Sequence, residues 1–139
     1  MKILGVDWGR VRTGVAVSDE SGLLARPLKT LEGLSLEGLA EGIARAAAEE
    51  GAGSAVLGLP RHMDGREGEN APLVRRLGDF LIARGIAVVY WDERLSTWQA
   101  DELMKESGTP GRKKKARRDR LAAAVILQGY LDSLKRGPS

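Results

Sequence analysis

The chain has 139 residues and a formal net charge of +3, from 22 Lys plus Arg against 19 Asp plus Glu, enough for one domain of ~100–200 residues. It has no cysteine and one histidine, His62, which excludes disulfides, thiol catalysis, cysteine-ligated zinc and any two-histidine mechanism. No apolar run reaches the ~18 residues of a membrane span and no signal-peptide pattern opens the chain, so a cytoplasmic protein is expected.

Lys2–Trp8 (KILGVDW) reads as a first strand ended by Gly9, and Thr13–Ser18 as a second. The short connection between them favours an antiparallel hairpin, because a parallel crossover needs a dozen or more residues. Leu23–Thr30 fits a third strand whose Pro27 belongs at an edge or a bulge. Leu36–Glu50 has Leu36, Leu39, Ile43, Ala44 and Ala47 at helical spacing and stops at Gly51. Ser54–Leu59 reads as a buried strand and Pro60–Asn70 as a charged loop. Asn70 is placed to cap a helix from about Pro72 to Arg84, and Ile86–Trp91 reads as another buried strand. Ser96 and Gln99 fit a capping box for a helix over Thr97–Glu106. Gly108–Gly111 breaks it, and a last helix is predicted from about Arg117 to Leu134. The order β-β-β-α-β-α-β-α-α predicts an α/β fold: a mixed sheet with helices on its faces, in a single domain over 1–139.

The charge is unevenly spread. Residues 110–120 hold seven basic side chains and one acid, Asp119, a local +6 that leaves −3 for the other 128 residues. A basic segment on a mildly acidic body points to a localised anionic partner, most simply nucleic acid.

Acids stand at three places in the chain where acids are costly. Asp7 lies in an apolar strand expected at the sheet centre, where a carboxylate must be paired or bound to a cation. Asp92 and Glu93 follow the apolar run Ile86–Trp91; strand alternation lets only one of them face Asp7 and does not choose between them. Asp119 sits in helical register with Ala122, Ala123, Ile126 and Tyr130, on the stripe that faces the sheet, while Arg118 and Arg120 point elsewhere. Taken singly, each acid has a plain structural reading, as a turn or helix-start residue. Together, hard oxygen ligands without His or Cys suit Mg²⁺ or Mn²⁺, and two such ions ~3.5–4 Å apart cleave phosphodiesters.

Four motifs carry a family resemblance: Gly5-Val6-Asp7-Trp8-Gly9-Arg10-Val11-Arg12-Thr13-Gly14-Val15-Ala16-Val17-Ser18-Asp19; Gly58-Leu59-Pro60-Arg61-His62-Met63-Asp64-Gly65; Asp92-Glu93-Arg94-Leu95-Ser96-Thr97; and Asp119-Arg120-Leu121-Ala122-Ala123 through Gln128. In this order the chain resembles the YqgF/RuvX family, whose fold is RNase H-like. The resemblance implies a metal-dependent nuclease with the acidic triad Asp7, Glu93 and Asp119, which leaves Asp92 a supporting role beside the ligands. It implies Mg²⁺ or Mn²⁺ as cofactor and 5′-end maturation of pre-16S rRNA as the task, with Holliday-junction resolution the alternative. Asn is more usual in the family at the position of His62, for which a solvent-facing loop residue is the plainer expectation.

Arg12 and Arg94 stand next to the proposed acids, either to contact the scissile phosphate or to neutralise the acids without metal. Arg112, Lys113, Lys114, Lys115, Arg117 and Arg118 are the expected phosphate-binding cations. Two other classes compete. The Asp7-x-Gly9 hairpin also resembles the first phosphate motif of the actin/Hsp70/sugar-kinase fold, but those proteins need two such lobes. A non-catalytic RNA-binding module is the other, although aromatic content is only 4% and none is interleaved with the basic run. Junction resolution needs paired active sites, so both a monomer and a homodimer are open.

Overall fold

The structure is a computed structural model that describes residues 1–62, 64–92 and 111–136, with only the backbone described for 111–116 and 136. The predicted helix over Thr97–Glu106 therefore lies outside the described residues, as do Glu93 and Arg94. Strands β1 (Lys2–Asp7), β2 (Arg12–Ser18), β3 (Ala25–Glu32), β4 (Ala52–Leu59) and β5 (Ala87–Asp92) form one sheet in the order β3-β2-β1-β4-β5. The hairpins β1–β2 and β2–β3 are antiparallel, whereas β4 lies parallel to β1 and β5 parallel to β4. This is the expected mixed sheet, with β1 at its centre.

Helices α1 (Leu36–Glu50) and α2 (Ala71–Ala83) cover one face and α3 (Gly111–Arg136) the other. Alternation along the strands sorts the core into two layers. Leu4, Val6, Val15, Val17, Ala55, Leu57 and Leu59 pack with α1 and α2. Ala16 and Val56 pack with Ala123, Ile126, Leu127 and Leu131 of α3. No described helix is long and apolar enough to cross a membrane.

Local chemistry explains most boundaries. Ser35 Oγ accepts the Gly38 N–H at 3.1 Å to start α1, and Gly51 ends it at φ 72°, a left-handed conformation that favours glycine. Pro27 lies on edge strand β3, at a register shift opposite Val15 and Ala16, the kind of position where a missing N–H is tolerated.

Three expectations are corrected. Asn70 does not cap α2 with its side chain; its Oδ1 instead accepts from Arg10 Nη2 at 3.1 Å. Strand β5 is the other edge of the sheet and is only half-buried, not a buried central strand. The last helix begins at Gly111, not near Arg117, and so takes in the whole basic run. Cations at a helix N-terminus oppose the macrodipole. Lys, Arg and Ala are nevertheless strong helix formers, and the buried stripe from Ala122 onward anchors the helix they extend.

Gln128 fastens α3 to the β2–β3 turn. Its Oε1 accepts the Ala25 N–H at 2.8 Å, and its Nε2 donates to Leu23 O at 2.9 Å and to Asp132 Oδ1 at 3.0 Å. Gln128→Leu keeps the volume but strands the Ala25 N–H and leaves the Leu23 carbonyl to Lys135 Nζ, which donates to it at 3.0 Å. A loss of about 1–3 kcal/mol is expected, read from the urea midpoint at unchanged slope.

Candidate active site

Asp7 ends β1 opposite Gly14 of β2. Directly paired antiparallel residues share a face, and two residues earlier Gly5 abuts Leu127 and Ala123 of α3. Asp7 therefore projects on the α3 side of the sheet, at its carboxyl-terminal rim. The backbone of Asp119 sits directly over Gly14, where a Cβ on Gly14 would overlap the Asp119 carbonyl oxygen. Absence of a side chain at Gly14 is what lets α3 descend far enough to set Asp119 beside Asp7. Asp7 and Asp119, two of the three acids of the expected triad, are thus brought to one face and one end of the sheet.

The β5 register settles the position of Asp92. Trp91 pairs with Gly58 and packs with Val89 against α3, its ring meeting Tyr130 edge-on at 5.7 Å. Asp92 pairs with Leu59, which belongs to the α1/α2 layer, as do Val88 and Tyr90. Asp92 therefore falls on the face away from Asp7 and Asp119. Among the described residues no group of three His, Asp or Glu converges as a metal cage, and Glu93 is outside them.

Arg12 opens β2 and lies against Asp119, with Nε 3.3 Å from Oδ2. Both side chains are largely buried, 21% and 26% exposed. The distance makes an ion pair, yet among the described residues the buried Nε finds no well-directed hydrogen-bond partner. Burial pushes the Asp119 carboxyl above its ordinary value, while the charges of Arg12 and Arg118 pull it back and Glu32 pushes further up. Glu32 reaches this neighbourhood because it pairs with Arg12 across β2–β3. Burial among mixed charges disfavours the charged form of this acid, which a bound cation would offset.

The pH consequence has a definite sign. An acid whose folded pKa is raised favours the protonated fold, so its contribution is present below the ordinary carboxylate pKa and lost as pH rises through the folded value. Stability of the wild type relative to Asp119→Asn is therefore expected to fall from pH 4 to pH 7 without divalent metal. Urea titrations of the two proteins at both pH values check it.

The expected cations divide. Arg117 and Arg118 are exposed on α3 within two residues of Asp119, while Arg112 and Lys113–Lys115 lie in the first turns of the same helix, with only their backbone described. Arg94 lies outside the described residues. His62 is exposed on a tight loop, its N–H donating to Arg66 O at 2.7 Å, as the plainer expectation had it. Sequence reasoning passed over Gly14, Glu32 and the Arg10–Asn70 contact. For Gly14 a signal existed: Gly5, Gly14 and Ala16 put only small residues on one face of adjoining strands, the mark of a close backbone approach.

A mixed sheet of this order with a long helix laid across one face defines an RNase H-like domain, with Asp7 and the Asp119 backbone at the same end of that face. The chain belongs to the RuvX family, described as Holliday junction resolvase, which it matches over residues 1–133. Among its relatives, a protein of Anaeromyxobacter sp. (strain Fw109-5) named "Putative pre-16S rRNA nuclease" is 43% identical over 133 residues, spanning 95% of this chain and 97% of the relative. One of the same name from Agathobacter rectalis is 41% identical over 143 residues and spans both chains fully. Among solved structures, Thermus thermophilus RuvC in complex with Holliday junction substrate superposes with a TM-score of 0.61 at 16% identity, over 99% of this chain and 96% of that one. The fowlpox virus resolvase in its complex with junction DNA gives 0.59 at 14% identity, over 96% of this chain and 99% of that one. At such identities these two likenesses concern the fold.

Proposed function

We propose that this chain hydrolyses phosphodiester bonds in the 5′-end maturation of pre-16S rRNA, with Asp7, Glu93 and Asp119 holding Mg²⁺ or Mn²⁺ in a two-metal arrangement. The observation that carries the reading is the seating of Asp119 over Gly14, opposite Asp7, on one face of the sheet. The donor chemistry fits: hard carboxylate oxygens, one of them desolvated and paired to a poorly aligned cation. Assignment of Asp92 to the opposite face supports Glu93 as the third ligand and leaves Asp92 to steady the strand end. When bound, the metal ions supply an activated water and stabilise the departing oxygen.

The protein's own residues do the rest. Asp7 and Asp119 present their oxygens at the rim, and Arg12 offsets the charge of Asp119 until cation and phosphate arrive. Arg112, Lys113, Lys114, Lys115, Arg117 and Arg118 grip the substrate backbone. At 1.5 Å per residue the basic run spans only about 10 Å of helix before Asp119, so the strand they hold passes over the carboxylates. Arg94 joins Arg12 at the scissile phosphate. The names of the close relatives favour ribosomal RNA as substrate, and a cytoplasmic site of action follows from that task.

The family's description and the resolvase-like fold favour a second reading, branched DNA. That reaction requires a homodimer, whereas trimming of one RNA strand needs only a monomer. Depletion of the protein followed by mapping of 16S 5′ ends separates them. Accumulation of 5′-extended 16S RNA is expected; mature ends together with unresolved junctions would favour the second reading.

A further inference from the structure

A second feature sits at the same end of the sheet, on the opposite face. Beneath the β1–β2 loop lies a cavity of about 250 Å³, lined among others by Trp8, Arg10, Val11, Leu31, Leu34 and Leu73. Trp8 directly follows Asp7, and consecutive Cα atoms are only ~3.8 Å apart. Alternation sends the two side chains to opposite sides of the sheet, so the cavity backs onto the candidate active site. Its rim is apolar and open: Val11 is 64% exposed and Leu34 48% exposed. The Gly33 N–H donating to Val11 O at 3.3 Å ties the two sides of that rim together. Arg10 stands exposed at the mouth, and its guanidinium is steadied by the neutral Oδ1 of Asn70 at 3.1 Å.

We propose that this cavity receives one unpaired base of the substrate strand, close to the phosphate that the acids cut. The proposal rests on the nucleic-acid-cleaving reading above. Three observations select a base over other occupants. The volume falls below the ~300–1,000 Å³ of pockets for drug-sized ligands, which suits a single planar ring system. The walls offer one indole and leucine side chains, the surroundings on which bases of any sequence stack. The mouth carries a cation that, among the described residues, meets only a neutral amide, which suits the phosphate attached to such a base. A partner protein's apolar side chain would gain nothing from Arg10. Holding one base across the strand end would fix which phosphate lies over Asp7, and would favour single-stranded or splayed substrate over continuous duplex.

The test is a base-removal walk. A fluorescein-labelled single-stranded 12-nucleotide RNA carries one abasic site moved along its length, and anisotropy is read in EDTA so that cleavage does not enter. One position is expected at which base removal weakens wild-type binding about tenfold. Leu34→Trp fills the exposed rim without touching the buried core. It should bind the intact RNA about tenfold more weakly and show no sensitive position, with unchanged circular dichroism. Arg10→Ala should weaken binding and lower the salt dependence by about one phosphate contact. Uniform insensitivity of the wild type to base removal, or wild-type affinity in Leu34→Trp, would overturn the proposal while leaving the nuclease reading intact. Self-association that Leu34→Trp abolishes would assign the cavity to a second copy of the chain and overturn it too. Failure of every RNA to bind would remove the underlying reading and this proposal with it.

Discussion

Asp7→Asn is expected to lower metal-dependent cleavage by at least about a hundredfold, with RNA affinity in EDTA nearly unchanged. The substitution keeps the shape of the strand end but replaces an anionic oxygen by an amide. A metal ion at such a site contributes several kcal/mol of transition-state stabilisation, and each ~1.36 kcal/mol is tenfold in rate. Asp119→Asn should match it, because Asp7 pairs with Gly14 and the Asp119 backbone lies over that same glycine. The β5 register sharpens the prediction further. Asp92 lies with Leu59 on the α1/α2 face, away from the other two acids, so Asp92→Asn should cost less than the ~10–100-fold of a group that orients a metal ligand. Glu93→Gln should be as damaging as Asp7→Asn. Rates from single-turnover cleavage, alongside anisotropy binding curves, measure both sides of this claim.

Gly14→Val carries the second large effect, on fold and site together. Overpacking a well-filled interior typically costs about 1–3 kcal/mol, when side chains can move aside. Here the obstacle is the Asp119 backbone carbonyl, and it moves only if the helix moves. Helix α3 cannot rise alone, since Gly5 abuts Leu127 and Ala123 further along the same seam and Gly129 abuts Trp91. A loss at or above the top of that range, about 3 kcal/mol, is expected, a large share of a typical stability of ~5–15 kcal/mol. Any protein that still folds should hold Asp119 too far from Asp7, and cleavage should fall with it. Gly14→Ala is the milder variant. It should show the same direction in thermal midpoint and in turnover, and equal stability in Gly14→Ala and wild type would contradict the close approach.

Much of this was legible in the chain because it is local. Alternation in Lys2–Asp7 and Arg12–Ser18 and the short link between them announce an antiparallel hairpin, and leucine spacing marks α1. Pro27 announces an edge or a bulge and occupies both. Asp119 was traceable because helical periodicity ties it to Ala122, Ala123 and Ile126, which are buried. What escaped depends on tertiary contact. Asn70 has the right identity for a cap, but Arg10 claims its oxygen from 60 residues away. The start of α3 was misplaced because a run of like charges weighs against a helix locally, while the anchoring burial lies further on. Strand β5 is apolar yet sits at an edge, covered on its faces by α2 and α3 rather than by a further strand. Strand alternation does not choose between Asp92 and Glu93; the family motifs imply Glu93, and the register of β5 adds that Asp92 lies on the α1/α2 face.

The most direct measurement is cleavage of a 16S precursor fragment carrying its 5′ leader by the purified protein. With Mg²⁺ or Mn²⁺ present, shortening of the leader toward the mature 5′ end is predicted, abolished by EDTA and absent in Asp7→Asn and Asp119→Asn. Persistence of the same cleavage in Asp7→Asn, or intact RNA under every metal condition while the protein still binds it, would contradict the account.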